Sequence, residues 1–314
     1  MARGRSRAWV AVGAAAVALA GPAAGDPGRP DGEAGPPPAP PAVARWTLAV
    51  DGRPRTATVV GPAGPAGPAD PAGRPLLVVL HGVGGRGADL RPLGFEEPAL
   101  AAGAVVAYPD AWRGSWNDGR PGLEPEDPAD VPDDVAFFRS LVAEAGRRAG
   151  VDPARVAVAG FSNGALMAAR LACDAADAVV AVAPVAGTAG EGFEASCRPA
   201  RPVAVVQVAG DADTIVPYDG GAVADAGGRR RGRVASAGAF VSWWAAAHGC
   251  RTLDWTALAG AAVPVARLDG TGCRTGGGVV HYRVGGGGHE WYRVAGFDTT
   301  AVAWAVLGPA LAAG

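Results

Sequence analysis

The chain has 314 residues, of which 49% are hydrophobic and 18% charged, and its formal net charge at pH 7 is −2. A chain with this charge balance is a poor candidate for nucleic-acid binding. All 28 basic residues are arginine, so Schiff-base, pyridoxal-phosphate, Walker-type and Ser-Lys mechanisms lack the lysine that each requires.

The first 44 residues have the composition of an export signal followed by a spacer. Arg3, Arg5 and Arg7 precede an apolar run at residues 8–20 that ends in Ala-Leu-Ala, which is a cleavage-site pattern. The run is shorter than the about 20 apolar residues that span a bilayer. We therefore interpret residues 1–20 as a signal peptide, with an uncleaved anchor as the alternative. Residues 21–44 are rich in Gly, Pro and Ala, which predicts a disordered spacer.

Residues 45–314 are enough for one folded domain with a single core. Short apolar runs alternate there with helical patterns, such as residues 133–148, where Val135, Phe138, Leu141 and Val142 share a face. This alternation favours an α/β fold with a mainly parallel central sheet, helices on both faces and no large separate cap domain. The predicted strands are residues 76–80, 104–108, 155–159, 178–183, 202–209 and 279–284.

Residues 160–164 read G-F-S-N-G, a G-x-S-x-G motif between a predicted strand and a predicted helix at 165–173. A sharp glycine-flanked turn holds a serine hydroxyl ready for attack, and the helix N-terminus favours negative charge on the substrate oxygen. In a chain with 49 glycines the pentapeptide can also arise by chance. Its position between strand and helix favours Ser162 as the nucleophile of a serine hydrolase.

The base is found by elimination among four histidines. His81 ends a predicted strand, His248 closes a predicted helix and His281 lies inside a strand. His289 follows four glycines in a loop just past that strand, where an imidazole can reach a serine. We therefore expect His289 to be the general base.

The acid is expected between Ser162 and His289, after another buried strand. Asp211 and Asp213 both follow the predicted strand at residues 202–209. Asp211 comes directly after the turn glycine and suits a turn role, whereas Asp213 lies further into the loop. We favour Asp213 as the acid, with Asp211 as the alternative.

Acyl transfer also needs hydrogen-bond donors for the tetrahedral oxyanion. The expected donors are the backbone N–H of Asn163, directly after the nucleophile, and that of Val83, in the glycine-rich loop after residues 76–80. Such a loop is also typical of phosphate binding, but the P-loop sequence and its lysine are missing. Trp116 and Trp291 offer an aromatic wall for a substrate, with loop packing as the alternative.

Four cysteines in an exported chain predict two disulfides. They are Cys173, Cys197, Cys250 and Cys273. None of them forms a C-x-x-C pair, which argues against a zinc site. The spacings alone allow three connectivities.

Further segments of the chain read HGVGG, DDVAFFRSL, GFSNGALMAARLAC, GDADTIVPYDGG and GGGGHEWY. Together they resemble the secreted polyhydroxybutyrate depolymerase and feruloyl or acetylxylan esterase family of α/β-hydrolases, from about residue 46 to 304. The resemblance implies the α/β-hydrolase fold and a triad on Ser162, Asp213 and His289. Val83 stands where the family often has cysteine, and Tyr292 stands where it has proline. The resemblance also implies sequential disulfide pairing, Cys173 with Cys197 and Cys250 with Cys273.

The resulting hypothesis is a secreted, monomeric serine carboxylic ester hydrolase that needs no cofactor or metal. The resemblance implies polyhydroxyalkanoate-type polyesters or feruloyl or acetyl esters of plant polysaccharide as substrates, so the expected partner is a small or polymeric ester. We expect no nucleic-acid partner and no stable membrane insertion after signal cleavage. The alternatives are a secreted serine peptidase of the same fold and a non-catalytic extracellular binding protein on a hydrolase scaffold.

Overall fold

The computed structural model describes residues 41–62, 73–123, 130–225, 227–275 and 277–313. The predicted signal peptide at residues 1–20 and most of the predicted spacer at 21–44 lie outside these ranges. The first strand begins at Ala42, slightly before the expected start of the folded domain at residue 45. The division of the chain into signal, spacer and domain stays a prediction.

A ten-stranded sheet forms the centre of the described structure, and two small two-stranded sheets lie outside it. The strands of the large sheet are β1 (Ala42–Val50), β2 (Arg53–Gly61), β3 (Arg74–Leu80), β4 (Val105–Pro109), β5 (Val151–Phe161), β6 (Val179–Val185), β7 (Ala204–Gly210), β10 (Thr252–Ala257), β11 (Val265–Thr271) and β12 (Val279–Val284). The small sheets pair β8 (Gly221–Ala224) with β9 (Arg230–Val234) and β13 (Arg293–Val294) with β14 (Phe297–Asp298).

The strand order in the large sheet is β1-β2-β4-β3-β5-β6-β7-β12-β11-β10. The six strands from β4 to β12 in this order pair in parallel. Antiparallel strands complete both edges, β2 and β1 on one side and β11 and β10 on the other. The central strands are almost entirely apolar because helices cover both of their faces.

Five α-helices of the described residues flank the sheet. They are α1 (Glu96–Ala101), α2 (Asp134–Ala149), α3 (Asn163–Asp174), α4 (Ala237–Ala247) and α5 (Thr299–Ala313). Two of them begin at capping side chains: Asp133 accepts a hydrogen bond from Ala136 N at 2.9 Å, and Ser236 accepts one from Ala239 N at 3.0 Å. Such caps satisfy N–H groups that have no partner within the helix.

The helices divide between the two faces of the sheet. One core cluster contains residues of α2, α3 and α4, such as Phe137, Met167 and Trp244. The other contains residues of α1 and α5, such as Ala99 and Leu307. The prediction of a mainly parallel sheet with helices on both faces is therefore confirmed.

All six predicted strands are present, with ends shifted by a few residues. The strands without a sequence prediction include the four at the sheet edges, and among them β10 has all six residues exposed. The structure pairs Cys173 with Cys197 and Cys250 with Cys273, so the sequential pairing is confirmed. Within the described ranges, no helix has the length and apolar character needed to cross a membrane.

Candidate active site

The candidate nucleophile lies on a strained turn between β5 and α3. Ser162 has φ 58° and ψ −121°, a conformation that is rare for residues with a side chain. Its flanking glycines are required because the backbones approach closely. A Cβ atom at Gly160 would lie 2.1 Å from the Gly164 carbonyl oxygen, and one at Gly164 would lie 2.3 Å from that of Leu80. The G-x-S-x-G spacing therefore allows the turn that presents Ser162 at the end of β5.

A continuous chain of hydrogen bonds joins the three residues of the expected triad. His289 Nε2 lies 2.8 Å from Ser162 Oγ, and His289 Nδ1 lies 2.7 Å from Asp213 Oδ2. The second oxygen of Asp213 accepts hydrogen bonds from Ile215 N at 2.8 Å and Val216 N at 2.9 Å. A carboxylate held in this way keeps the proton on Nδ1 and leaves Nε2 free to accept the serine proton.

The topology explains why these distant residues meet. Ser162 follows β5, Asp213 follows β7 and His289 follows β12, and these three strands are parallel members of one sheet. The carboxyl ends of parallel strands lie at the same edge, which is where ligands bind in open α/β sheets.

Further contacts fix the loop that carries His289. Asp211 Oδ1 accepts a hydrogen bond from Gly286 N at 2.7 Å, and Tyr292 OH donates one to the Gly288 carbonyl at 2.5 Å. Asp211 therefore ties the loop of the base to the end of β7 and has no contact of its own with the imidazole among the described hydrogen bonds. Tyr292, which departs from the family pattern, is buried and supports the residue before His289.

The loop with the second expected oxyanion donor lies against the nucleophile. A Cβ atom at Gly82 would lie 3.1 Å from Ser162 Cβ, so only a glycine leaves this approach unhindered. Val83 follows directly, and within the described ranges its N–H has no hydrogen-bond partner. Asn163 is the first residue of α3, where N–H groups have no acceptor within the helix. The structure thus brings the loop of Val83 and the start of α3 next to Ser162.

His81 supports this loop from inside. Its Nε2 accepts a hydrogen bond from Ala111 N at 3.0 Å, so its Nδ1 carries the proton and donates to the Gly82 carbonyl at 2.7 Å. Burial lowers the pKa of His81, which keeps the ring neutral. A neutral ring is required because a proton on Nε2 would face the Ala111 N–H.

The other two histidines are buried away from the triad. His248 Nε2 bonds to the Val203 carbonyl at 2.9 Å, and His281 Nε2 bonds to Tyr218 OH at 2.8 Å. Burial lowers the pKa of both rings, and that of His281 falls to about 4. Each of these two rings is therefore held by hydrogen bonds inside the fold, and His289 is the histidine that contacts Ser162.

Trp116 packs beneath the site. It is 3% exposed, its Nε1 donates to the His81 carbonyl at 2.8 Å, and its ring stacks on Phe137 with centroids 6.5 Å apart. The expectation that Trp116 contacts substrate does not agree with this burial, because a ring enclosed by the core presents no face to a ligand. The alternative interpretation, in which Trp116 packs the loop, agrees with the structure.

Trp291 is half-buried and belongs to an aromatic group beside the base. Its Nε1 donates to Thr300 Oγ1 at 3.0 Å, and its ring lies 6.4 Å from that of Phe161, which in turn lies 5.1 Å from His289. The sequence analysis does not predict a role for Phe161. Its position directly before the serine in the motif is the signal that points to it.

A cavity of about 310 Å³ opens on another side of α3. Residues of α3 and of the loop after β6 line it, together with Asp118 and Gly119, and none of the three triad residues does. The cavity is therefore distinct from the surface on which Ser162 and His289 meet.

A serine on a strained strand-to-helix turn, followed in the chain by an acid and then a histidine at the ends of later parallel strands, defines the α/β-hydrolase arrangement. A solved structure of an acetyl xylan esterase from Aspergillus awamori supports this fold, with a TM-score of 0.55 and 13% sequence identity over 78% of this chain and 94% of that chain. The fold predicted from the sequence is thereby confirmed.

Sequence comparisons point to esterases as relatives. The chain is 37% identical over 150 residues to the protein named "Putative esterase NocK" of Nocardia uniformis subsp. tsuyamanensis, covering 47% of this chain and 42% of that protein. It is 30% identical over 155 residues to feruloyl esterase B of Piromyces equi, covering 47% of this chain and 27% of that protein. The chain thus spans less than half the length of either relative. No family model matches it. The resemblance to esterases that the motifs indicated is confirmed by these two proteins.

Proposed function

We propose that the protein is a serine carboxylic ester hydrolase that works outside the cytoplasm. The observation that carries this proposal is the hydrogen-bond chain from Ser162 through His289 to Asp213, with its distances of 2.8 and 2.7 Å. The esterase relatives support an ester substrate. The two disulfides support an oxidising compartment.

The reaction begins with attack of Ser162 Oγ on the ester carbonyl carbon while His289 Nε2 takes the hydroxyl proton. Asp213 holds the ring in the required tautomer and stabilises the imidazolium. The N–H groups of Val83 and Asn163 bind the oxyanion of the tetrahedral intermediate. Collapse of this intermediate releases the alcohol, which receives the proton from His289, and leaves an acyl group on Ser162. A water molecule activated by His289 then releases the acid by the same steps in reverse.

We propose feruloyl or acetyl esters of plant polysaccharide, or polyhydroxyalkanoate-type polyesters, as the substrate class. One relative is named as a feruloyl esterase. The rings of Phe161 and Trp291 next to His289 give the site an apolar, aromatic side, which suits a phenolic or aliphatic acyl group.

The experiment that tests the function is hydrolysis of p-nitrophenyl esters of increasing acyl length, methyl ferulate and a short 3-hydroxybutyrate oligomer. We expect wild-type turnover and its near-complete loss in Ser162→Ala, because the nucleophile is gone. Ser242→Ala is the matched control, since Ser242 lies exposed on α4. A fluorophosphonate probe should label the wild type and the control but not Ser162→Ala.

The two alternatives give different results in the same set of measurements. A non-catalytic binding protein leaves the fluorophosphonate probe unreacted and hydrolyses none of the esters. A serine peptidase is labelled but prefers peptide substrates in a parallel panel. Either result contradicts the proposed ester hydrolase.

A further inference from the structure

A polar network with a buried centre lies beside the two expected oxyanion donors, and none of its side chains takes part in the steps above. It consists of residues 111–118, which follow β4, together with Arg120 and the side chain of Asn163. We call this group the anchoring network. Its contacts reach both the start of α3 and the loop of Val83.

The side chain of Asn163 is held at both ends of its amide. Its Oδ1 accepts a hydrogen bond from Trp116 N at 2.7 Å. Its Nδ2 donates to the Trp116 carbonyl at 3.1 Å and to Asp118 Oδ2 at 2.6 Å. Asn163 is 1% exposed, so water does not compete for these bonds. The residue directly after the strained Ser162 therefore has one fixed orientation, and with it the backbone N–H expected to bind the oxyanion.

The same network also anchors the loop of Val83. Trp116 Nε1 donates to the His81 carbonyl at 2.8 Å, and Gly84 N donates to the Gly114 carbonyl at 2.8 Å. His81 lies two residues before Val83 and Gly84 directly follows it, so the chain is attached to the anchoring network on each side of the second expected donor. The spacing between the two donors thus depends on a single segment, in which Trp116 and Asp118 are buried.

Asp118 is the charged group at the base of this network. Its Oδ1 accepts a hydrogen bond from Arg120 N at 3.1 Å, and its Oδ2 lies 3.3 Å from the Arg120 guanidinium. The two side chains are 0% and 3% exposed. Gly190 and Gly232 make room for the arginine, because Cβ atoms there would lie 2.8 Å from its Cα and 3.0 Å from its Cδ.

A buried ion pair of this kind contributes little to stability, since the cost of removing two charges from water offsets their attraction. What it supplies here is a fixed acceptor for the Asn163 amide. Burial raises the pKa of Asp118, and the charge of Arg120 acts in the opposite direction.

We propose that Asp118, supported by Arg120, is a positioning residue of the oxyanion hole: it fixes the Asn163 side chain and thereby aims the Asn163 N–H at the reacting carbonyl oxygen. This inference rests on the proposed ester hydrolase. Oxyanion donors act by being in place before charge develops, and a donor displaced by about 1 Å loses much of its effect. Loss of the anchor is therefore expected to act on the transition state more than on substrate binding.

The test compares Asp118→Ala, Asp118→Asn and Asn163→Ala with the wild type. Rates for p-nitrophenyl acetate are normalised to active sites titrated with a fluorophosphonate. Inhibition by phenylboronic acid, which forms a tetrahedral adduct with an active-site serine, reports on the oxyanion hole directly. Glu144→Gln is the matched control, because Glu144 is a buried carboxylate paired with Arg147 and Arg148 on α2.

We expect Asp118→Ala to lower kcat by about 10- to 100-fold, with KM within about twofold of the wild type. Inhibition by phenylboronic acid should weaken by a similar factor. Asp118→Asn should lose less, because its amide oxygen still accepts from Asn163. Asn163→Ala keeps its N–H but loses the anchor, so it should match Asp118→Ala. The double variant that combines Asp118→Ala with Asn163→Ala should lose no more kcat than either single variant. Glu144→Gln should retain the wild-type kcat.

Unchanged kcat and unchanged boronate inhibition in Asn163→Ala would overturn the inference, even if the Asp118 variants do not fold. If the wild type turns over and Ser162→Ala does not, the unchanged values in Asn163→Ala overturn this inference alone, and the proposed function stays intact. If the wild type shows no turnover that depends on Ser162, the proposed function fails and this inference fails with it.

Discussion

Replacing Asp213 by asparagine is a sharp test of the candidate triad, because the structure determines which way the new amide must face. One carboxylate oxygen of Asp213 accepts hydrogen bonds from the N–H groups of Ile215 and Val216, at 2.8 and 2.9 Å. The other lies 2.7 Å from His289 Nδ1. In Asp213→Asn only the amide oxygen can face two N–H donors, so the NH2 group must face the imidazole.

The ring then has to change its tautomer. Nδ1 must accept a hydrogen bond from the new NH2 group, so the ring proton lies on Nε2, the atom that is 2.8 Å from Ser162 Oγ. Nε2 then has no lone pair to accept the serine proton, although all side chains stay in place. The same exchange of acid for amide in a triad costs about 10⁴-fold in kcat, which corresponds to about 5 kcal/mol of transition-state stabilisation.

The assay is p-nitrophenyl ester hydrolysis at saturating substrate, with far-UV circular dichroism to establish that the variant is folded. Asp211→Asn is the matched control. Its amide oxygen can still accept from Gly286 N, as the carboxylate does at 2.7 Å, so kcat should fall by less than about tenfold. The assignment of the acid is wrong if Asp211→Asn is as damaging as Asp213→Asn, or if Asp213→Asn loses less than about tenfold.

Two further predictions concern stability. Replacing Cys250 and Cys273 together by serine should lower the free energy of unfolding by about 3 kcal/mol, the chain-entropy value for a closed loop of this length, since the two residues are 23 positions apart; an unchanged urea midpoint would contradict this. His281 has its pKa lowered by burial from 6.5 to about 4, so the unfolded chain takes up the proton first as the pH falls. The contribution of His281 to the free energy of unfolding is therefore complete above pH 6.5. It is lost as the pH falls through 4, by about 3 kcal/mol in total. Urea unfolding between pH 7 and 4 should show this extra loss in the wild type relative to His281→Gln, whereas parallel pH profiles would refute it.

The central strands could be predicted because both faces of each are buried, which leaves an apolar run in the sequence. Every residue of β3 from Pro75 to Leu80 is buried, and the apolar run at residues 76–80 predicts this strand. The edge strand β10 has all six residues exposed, so neither a run nor an alternation marks it. Its pairing with β11 is a property of the sheet and leaves no trace in local hydrophobicity.

The candidate site also has features that the sequence predicts and features that only the fold determines. The turn at Ser162 depends on glycines two residues away on each side, and these glycines are visible in the sequence as the G-x-S-x-G motif. The contact between Asn163 and Asp118 joins residues 45 positions apart and depends on the path of the segment between β4 and α2. Trp116 shows the same limit, because its two alternative roles differ only in whether the ring faces solvent or core, which the fold decides.

Asp211 and Asp213 show how the fold assigns different roles to two chemically identical groups. Both follow β7, and both act on the loop that carries His289, but through different donors. Asp211 meets a backbone N–H of that loop and holds its position, whereas Asp213 meets the imidazole and holds its tautomer. The side chain of Asp213 is 1% exposed and that of Asp211 is 32% exposed. Hydrogen bonds to a buried carboxylate are stronger because water does not compete, and this is why the inner of the two carboxylates is the one suited to stabilise an imidazolium.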